Sequence, residues 1–188
     1  MIPPSLPWTR SAETNRVPSL PGDRSFPPWG SPGRWLWINQ RIDGILREPR
    51  NRTKQMRRSA KAVDDSLRLL FPLMDDLCAA TCRFCPSPCC FTARVYFDLQ
   101  DLLFHHLMGF GAPPHQPIRH PQSTCLYLGP GGCRLPRRRR PWICAWYLCP
   151  TQTSRIRGRK GRHGPDILAL IDQIGRERKR MAAFFTLL

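Results

Sequence analysis

The chain has 188 residues, with 30 Lys and Arg against 13 Asp and Glu, for a formal net charge of +17. A hydrophobic content of 41% with 21 Pro and 9 Cys fits one small domain with poorly packed ends and excludes a core along the whole chain. No run of about 18 apolar residues exists to cross a membrane, and the opening MIPPSLPWTRSAETNR lacks the apolar stretch of a secretory signal, so the expected location is cytoplasmic.

Residues 1–33 hold eight of the prolines. They bury too little apolar surface to offset their ordering entropy and are expected to be a disordered tail. Trp8 and Trp29 read there as isolated aromatics. Residues 34–59 read as a linker with a weakly periodic helix over 35–47, where Ile38, Ile42 and Ile45 recur at helical spacing. Val63, Leu67, Leu70, Met74 and Leu77 lie on one face of a helix running into Cys78. Pro72 is expected to kink or break its last turns. Asp64-Asp65 and Asp75-Asp76 read as solvated positions on that helix.

Phe91, Ala93, Val95 and Phe97 alternate with Thr92, Arg94 and Tyr96, which predicts a short strand. Asp98 then caps a helix over 99–108, with Asp101 favourable in its first turn and Gly109 and Gly111 at its end. Residues 113–122 read as loop. Pro165 near a start, followed by Ile167, Leu170, Ile171 and Ile174 on one face, predicts a last helix to about residue 183.

All nine cysteines lie between Cys78 and Cys149. In a reducing compartment they read as metal ligands or redox groups, and an odd number suits disulfides badly. One block is Cys78, Cys82, Cys85, Cys89 and Cys90. The other is Cys125, Cys133, Cys144 and Cys149. Four thiolates around one tetrahedral ion suit Zn²⁺, and the same ligands hold an iron–sulfur cluster such as [4Fe–4S]. The expected fold is therefore a small, mainly helical α+β domain over about residues 60–185, cysteine-rich and stapled by metal, with its metal core over 75–150. The histidines His105, His106, His115 and His120 read as partly exposed bystanders beside so many thiols. His105 and His106 point about 100° apart on a helix, so they do not converge on one ion.

The two blocks resemble the cysteine-cluster family of zinc- or iron-chelating domain proteins, the CxxCxxCC family. The likeness covers roughly residues 75–150. It rests on the Cys89-Cys90 pair, on the segment Arg94 to Met108 that follows, and on Cys125, Gly132-Cys133, Arg140-Pro141-Trp142-Ile143-Cys144 and Cys149. Three residues, Pro86-Ser87-Pro88, separate Cys85 from the pair where the family name implies two. The resemblance implies metal binding by these cysteines and little about role. Arg140 is placed to offset the negative charge of a thiolate cluster, while Arg137, Arg138 and Arg139 read as a solvated basic loop.

Two other functions compete with a non-catalytic or regulatory metal protein. Cys78, Cys82 and Cys85 fit the CxxxCxxC spacing of radical S-adenosylmethionine enzymes, but only 103 residues follow Cys85 (188 − 85), few for the barrel those enzymes use. The Arg-rich runs at 137–140, 155–164 and 176–180, with Trp142, Trp146 and Tyr147 near the first, suit a zinc module that binds nucleic acid through phosphate and base stacking.

Overall fold

The structure, a computed structural model, describes residues 29–48, 51–82, 85–86, 88–119, 123–130, 132–157 and 164–186. The tail expected over 1–33 lies outside them as far as residue 28, as do His120 and most of the 155–164 run.

Helix α1 (Pro32–Arg47) starts at Ser31, whose hydroxyl accepts the Arg34 N–H at 3.4 Å, with Pro32 in its first turn. Trp35, Ile42 and Leu46 are buried along it, and the Trp35 indole N–H donates to the Pro113 carbonyl at 3.0 Å. Residues 35–46 therefore belong to the core, and Trp29 packs against the same core instead of standing alone.

Helix α2 (Asn51–Thr81) carries the predicted stripe: Val63, Leu67, Leu70, Met74 and Leu77 are all buried, and Met56 and Ala60 extend it toward the N-terminus. The helix continues through Pro72 without a break. Proline at such a position costs about 3 kcal/mol, yet Pro72 and Arg68 both lie on the exposed side. The Arg68 carbonyl that loses its partner therefore faces water, while the apolar side stays packed. Asp64 corrects the expectation of a solvated face. It is 3% exposed and takes Arg138 Nε at 2.7 Å and Arg68 Nε at 3.1 Å.

The expected strand over Phe91–Phe97 is absent. Its first part is a single helical turn, α3 (Cys89–Thr92), in which Phe91 is 59% exposed. Residues 93–98 run on without a strand partner. At Phe97, which is fully buried, the Gln116 carboxamide takes the place of a neighbouring strand: its Oε1 accepts the Phe97 N–H at 2.8 Å and its Nε2 donates to the Phe97 carbonyl at 3.1 Å.

Helix α4 (Leu99–Leu107) forms as predicted. Asp98 accepts the Asp101 N–H at 2.7 Å and Asp101 accepts the Asp98 N–H at 3.1 Å, a reciprocal cap. Gly109 and Gly111 follow with φ of 74° and 64°, the left-handed backbone that glycine allows without a Cβ clash. A hairpin of two-residue strands, β1 (Leu128–Gly129) and β2 (Gly132–Cys133), pairs Leu128 with Cys133. A 3₁₀ turn (Arg137–Arg139) and the short helices α5 (Trp142–Trp146) and α6 (Pro150–Arg157) lead to α7 (Gly164–Thr186).

The described residues are mainly helical, and the hairpin is their whole strand content. The most extensive contact between elements is that of α2 with α7, and α4 packs on α7, α1 and α2. No helix among the described residues is long and apolar enough to cross a membrane.

Candidate metal centre

The fold brings the two cysteine blocks together in two groups. The first forms where the C-terminal end of α2 meets the N-terminal end of α6. Cys78 lies in the last turn of α2, and Cys82 follows its end. Cys149 immediately precedes α6. The Gln152 side chain joins them: Nε2 lies 3.6 Å from Cys78 Sγ and 3.5 Å from Cys82 Sγ, and the Gln152 backbone N–H donates to Cys149 Sγ at 3.5 Å. Burial pushes the Cys82 thiol up, and the neighbouring Cys78 and Cys149 sulfurs push the same way against the Thr81 hydroxyl. Cys85 is exposed and is tied to this group through its backbone, its N–H donating to the Cys82 carbonyl at 3.1 Å.

The second group is linked by charge alone: Cys125 and Cys144 each feel Cys133 and Cys90. The β1–β2 hairpin holds Cys133 opposite Leu128, and Cys125, ahead of β1, feels the charge of Cys133. The turn after Pro141 delivers Cys144, whose N–H donates to the Pro141 carbonyl at 2.9 Å. Burial pushes the Cys144 thiol far up, and Cys125, Cys133 and Cys90 add to it in that order. Burial is also the main cause for Cys125, with Cys133 and Cys90 adding to it. Cys125 and Cys144, raised by burial and by neighbouring sulfurs, would gain from a cation placed beside them.

Cys89 and Cys90 differ sharply. Cys89 donates a hydrogen bond to Cys90, and that bond brings Cys90 down to about 6; burial opposes it and the Arg140 guanidinium assists. The same bond is the first cause that pushes Cys89 up, with burial second. Cys89 also feels Cys82 of the first group and Cys144 of the second, so it stands between them.

Beneath the second group lies a buried ionic network. Asp101 accepts the Trp142 N–H at 3.0 Å, and Arg178 Nη1 at 2.8 Å. Arg178, 3% exposed, also binds both Asp98 oxygens, at 2.9 and 3.0 Å. The capped end of α4 therefore holds both α7 and the turn that presents Cys144.

The arginine run departs from a solvated loop. Arg137 pairs with Asp75, Arg138 with Asp64, and Arg138 also lies 4.9 Å over the Phe110 ring. Arg139 donates to the Gly111 carbonyl at 3.4 Å and Arg140 to the Leu135 carbonyl at 2.9 Å. All four are engaged within the fold. In the 176–180 run, Arg178 is buried in its ion pairs, while Arg176, Lys179 and Arg180 face outward. Among the histidines, His105 is 1% exposed and His106 shares a 2.9 Å hydrogen bond with Asn39. His105 is buried where partial exposure was expected, His106 is partly exposed as expected, and neither approaches the thiols in these contacts.

Sequence reasoning missed Gln152 and Thr81. Gln152 had a visible signal. Cys149-Pro150-Thr151-Gln152 places Pro at the first helical position and Gln at the third, a cap pattern with Cys in the place of Ser or Thr.

Among the described residues, no group of three or more His, Cys, Asp or Glu side chains has the geometry of a metal site. The donor chemistry is nonetheless of the kind zinc and iron take: all-sulfur sets, with the Gln152 amide beside Cys78 and Cys82 and the Arg140 guanidinium near Cys90. No family model, curated protein or solved structure matches the chain. The likeness to the cysteine-cluster family thus rests on its motif residues.

Proposed function

We propose that this protein chelates zinc or iron through its cysteine cluster, in a non-catalytic or regulatory capacity. One observation carries the reading. Cysteines about seventy residues apart meet around Gln152, whose nitrogen atoms lie within 3.6 Å of the sulfurs of Cys78, Cys82 and Cys149. The charge that Cys90 and Cys133 exert on both Cys125 and Cys144 is in keeping with it. The first group would hold metal through Cys78, Cys82 and Cys149, with Cys85, whose N–H donates to the Cys82 carbonyl, as a further thiol in the same stretch. The second would do so through Cys90, Cys125, Cys133 and Cys144. A bound ion would supply a cross-link between segments distant in sequence, or electron storage in the case of iron and sulfide.

The radical-enzyme reading draws no support from a chain whose described strands form one short hairpin. A nucleic-acid partner would have to manage without the internally engaged 137–140 run.

The test is metal and acid-labile sulfide content with a visible spectrum, on protein purified without air. Zinc at one or two per chain without sulfide supports chelation of zinc. Brown protein with matching iron and sulfide supports a cluster. Protein free of both metals overturns the reading. Cys133→Ala and Cys144→Ala should each lower metal content and solubility, and full occupancy in both would remove the second group from the site.

A further inference from the structure

We propose that Gln152 is the positioning residue of the first thiol group: its carboxamide, locked by a helix cap, presents N–H donors to Cys78 and Cys82 and sets how firmly that group holds metal. This rests on the chelation reading above.

Gln152 is 4% exposed, and both ends of its amide are engaged. Oε1 accepts the backbone N–H of Cys149 at 3.2 Å. A backbone N–H only donates, so the oxygen must occupy that end. The NH₂ is then forced toward Cys82 Sγ at 3.5 Å, Cys78 Sγ at 3.6 Å and Thr81 Oγ1 at 3.3 Å. The Thr81 hydroxyl is itself anchored, donating to the Leu77 carbonyl at 2.7 Å. The Gln152 backbone N–H adds the contact to Cys149 Sγ at 3.5 Å. One residue thus reaches three sulfurs from both ends of the cysteine-bearing segment.

The chemistry follows from the sign of the charges. Metal-bound thiolates leave an all-sulfur site with excess negative charge. N–H donors aimed at the sulfurs reduce that excess and fix the side-chain rotamers before the ion arrives. Neither cysteine could be approached in the same way by a carboxylate, which offers only acceptors at neutral pH.

Two substitutions separate this role from space filling. Gln152→Glu keeps the size and keeps an oxygen for the Cys149 N–H, but replaces the donors by negative charge. Gln152→Met removes donor and acceptor without adding charge. Full-length protein would be loaded with Zn²⁺, and release to a colorimetric chelator followed, with circular dichroism to confirm the helices.

The expectation for Gln152→Glu is a roughly 10–100-fold weaker hold on one part of the bound zinc, with the remainder released as in wild type. Gln152→Met should fall between the two. Release from both variants matching wild type overturns the inference while leaving chelation standing. So does an equal acceleration of all the zinc with the helical signal unchanged. Wild-type protein that binds neither zinc nor iron overturns the chelation reading, and this inference with it.

Discussion

His105 occupies a place where a charge cannot easily form. It is packed against the rings of Phe97, Phe104 and Phe110, and its Nδ1 has no hydrogen-bond partner. Burial brings it down to about 3, and the positive groups Arg139, Arg178 and His106 add to the effect. The unfolded chain binds a proton on this ring near pH 6.5, whereas the folded chain does not until about pH 3. Below pH 6.5 the unfolded state therefore holds more protons, and stability falls with pH down to about 3. The slope is about 1.4 kcal/mol per pH unit, so about 2 kcal/mol is lost between pH 6.5 and pH 5. In His105→Leu the difference in unfolding free energy between pH 7 and pH 5 should shrink by that amount relative to wild type. An unchanged difference in urea titrations at the two pH values would refute it. Asp101 stands in a different balance. Burial and then Asp98 push it up to about 7, and Arg178 with two N–H groups pulls against them. Asp101→Ala would leave the Arg178 guanidinium and the Trp142 N–H short of a partner and should cost about 3–5 kcal/mol, read as a lowered denaturation midpoint.

At the scale of elements, α2 and α7 are held by the apolar stripes that the sequence displays. Leu70 and Ile174 are both fully buried, and truncating either to alanine should cost about 2–5 kcal/mol, measured by chemical denaturation. These helices were legible because a period of 3.6 over many residues has few other readings. The strand at Phe91 was misread because alternation over seven residues needs a partner to become a strand, and the partner at Phe97 is the Gln116 side chain, 19 residues away. Nothing local marks that pairing. The same holds for Asp64, which looked solvated beside Asp65; its guanidinium partner Arg138 lies 74 positions on. The cysteines stand out by density, but the meeting of Cys78 and Cys82 with Cys149 depends on a turn ahead of Pro150 that brings distant segments together. Pro72 shows the opposite error: a rule about local backbone gave way to packing, since the side that loses its hydrogen bond is the wet one.

The whole molecule combines a helical core with a cysteine-bearing segment over 123–157 that is fastened at its edges. Ion pairs from Arg137 and Arg138 tie it to α2, and Asp101 ties it to α4. Removing metal with a chelator should therefore leave most of the helical signal in place, while amide hydrogen exchange accelerates over 123–157. Equal acceleration along the whole chain would mean that the core itself depends on the metal.

The contact between Gln152 and Cys78 spans 74 residues, which has a consequence during synthesis. A ribosome adding about 5–20 residues per second leaves Cys78 and Cys82 waiting about 4–15 s before their amide partner is even made. The helix that packs most extensively on α2 is translated later still. Assembly of the first thiol group is thus an event of the nearly completed chain, and the reducing capacity of the surroundings has to keep the early thiols from oxidising in that interval.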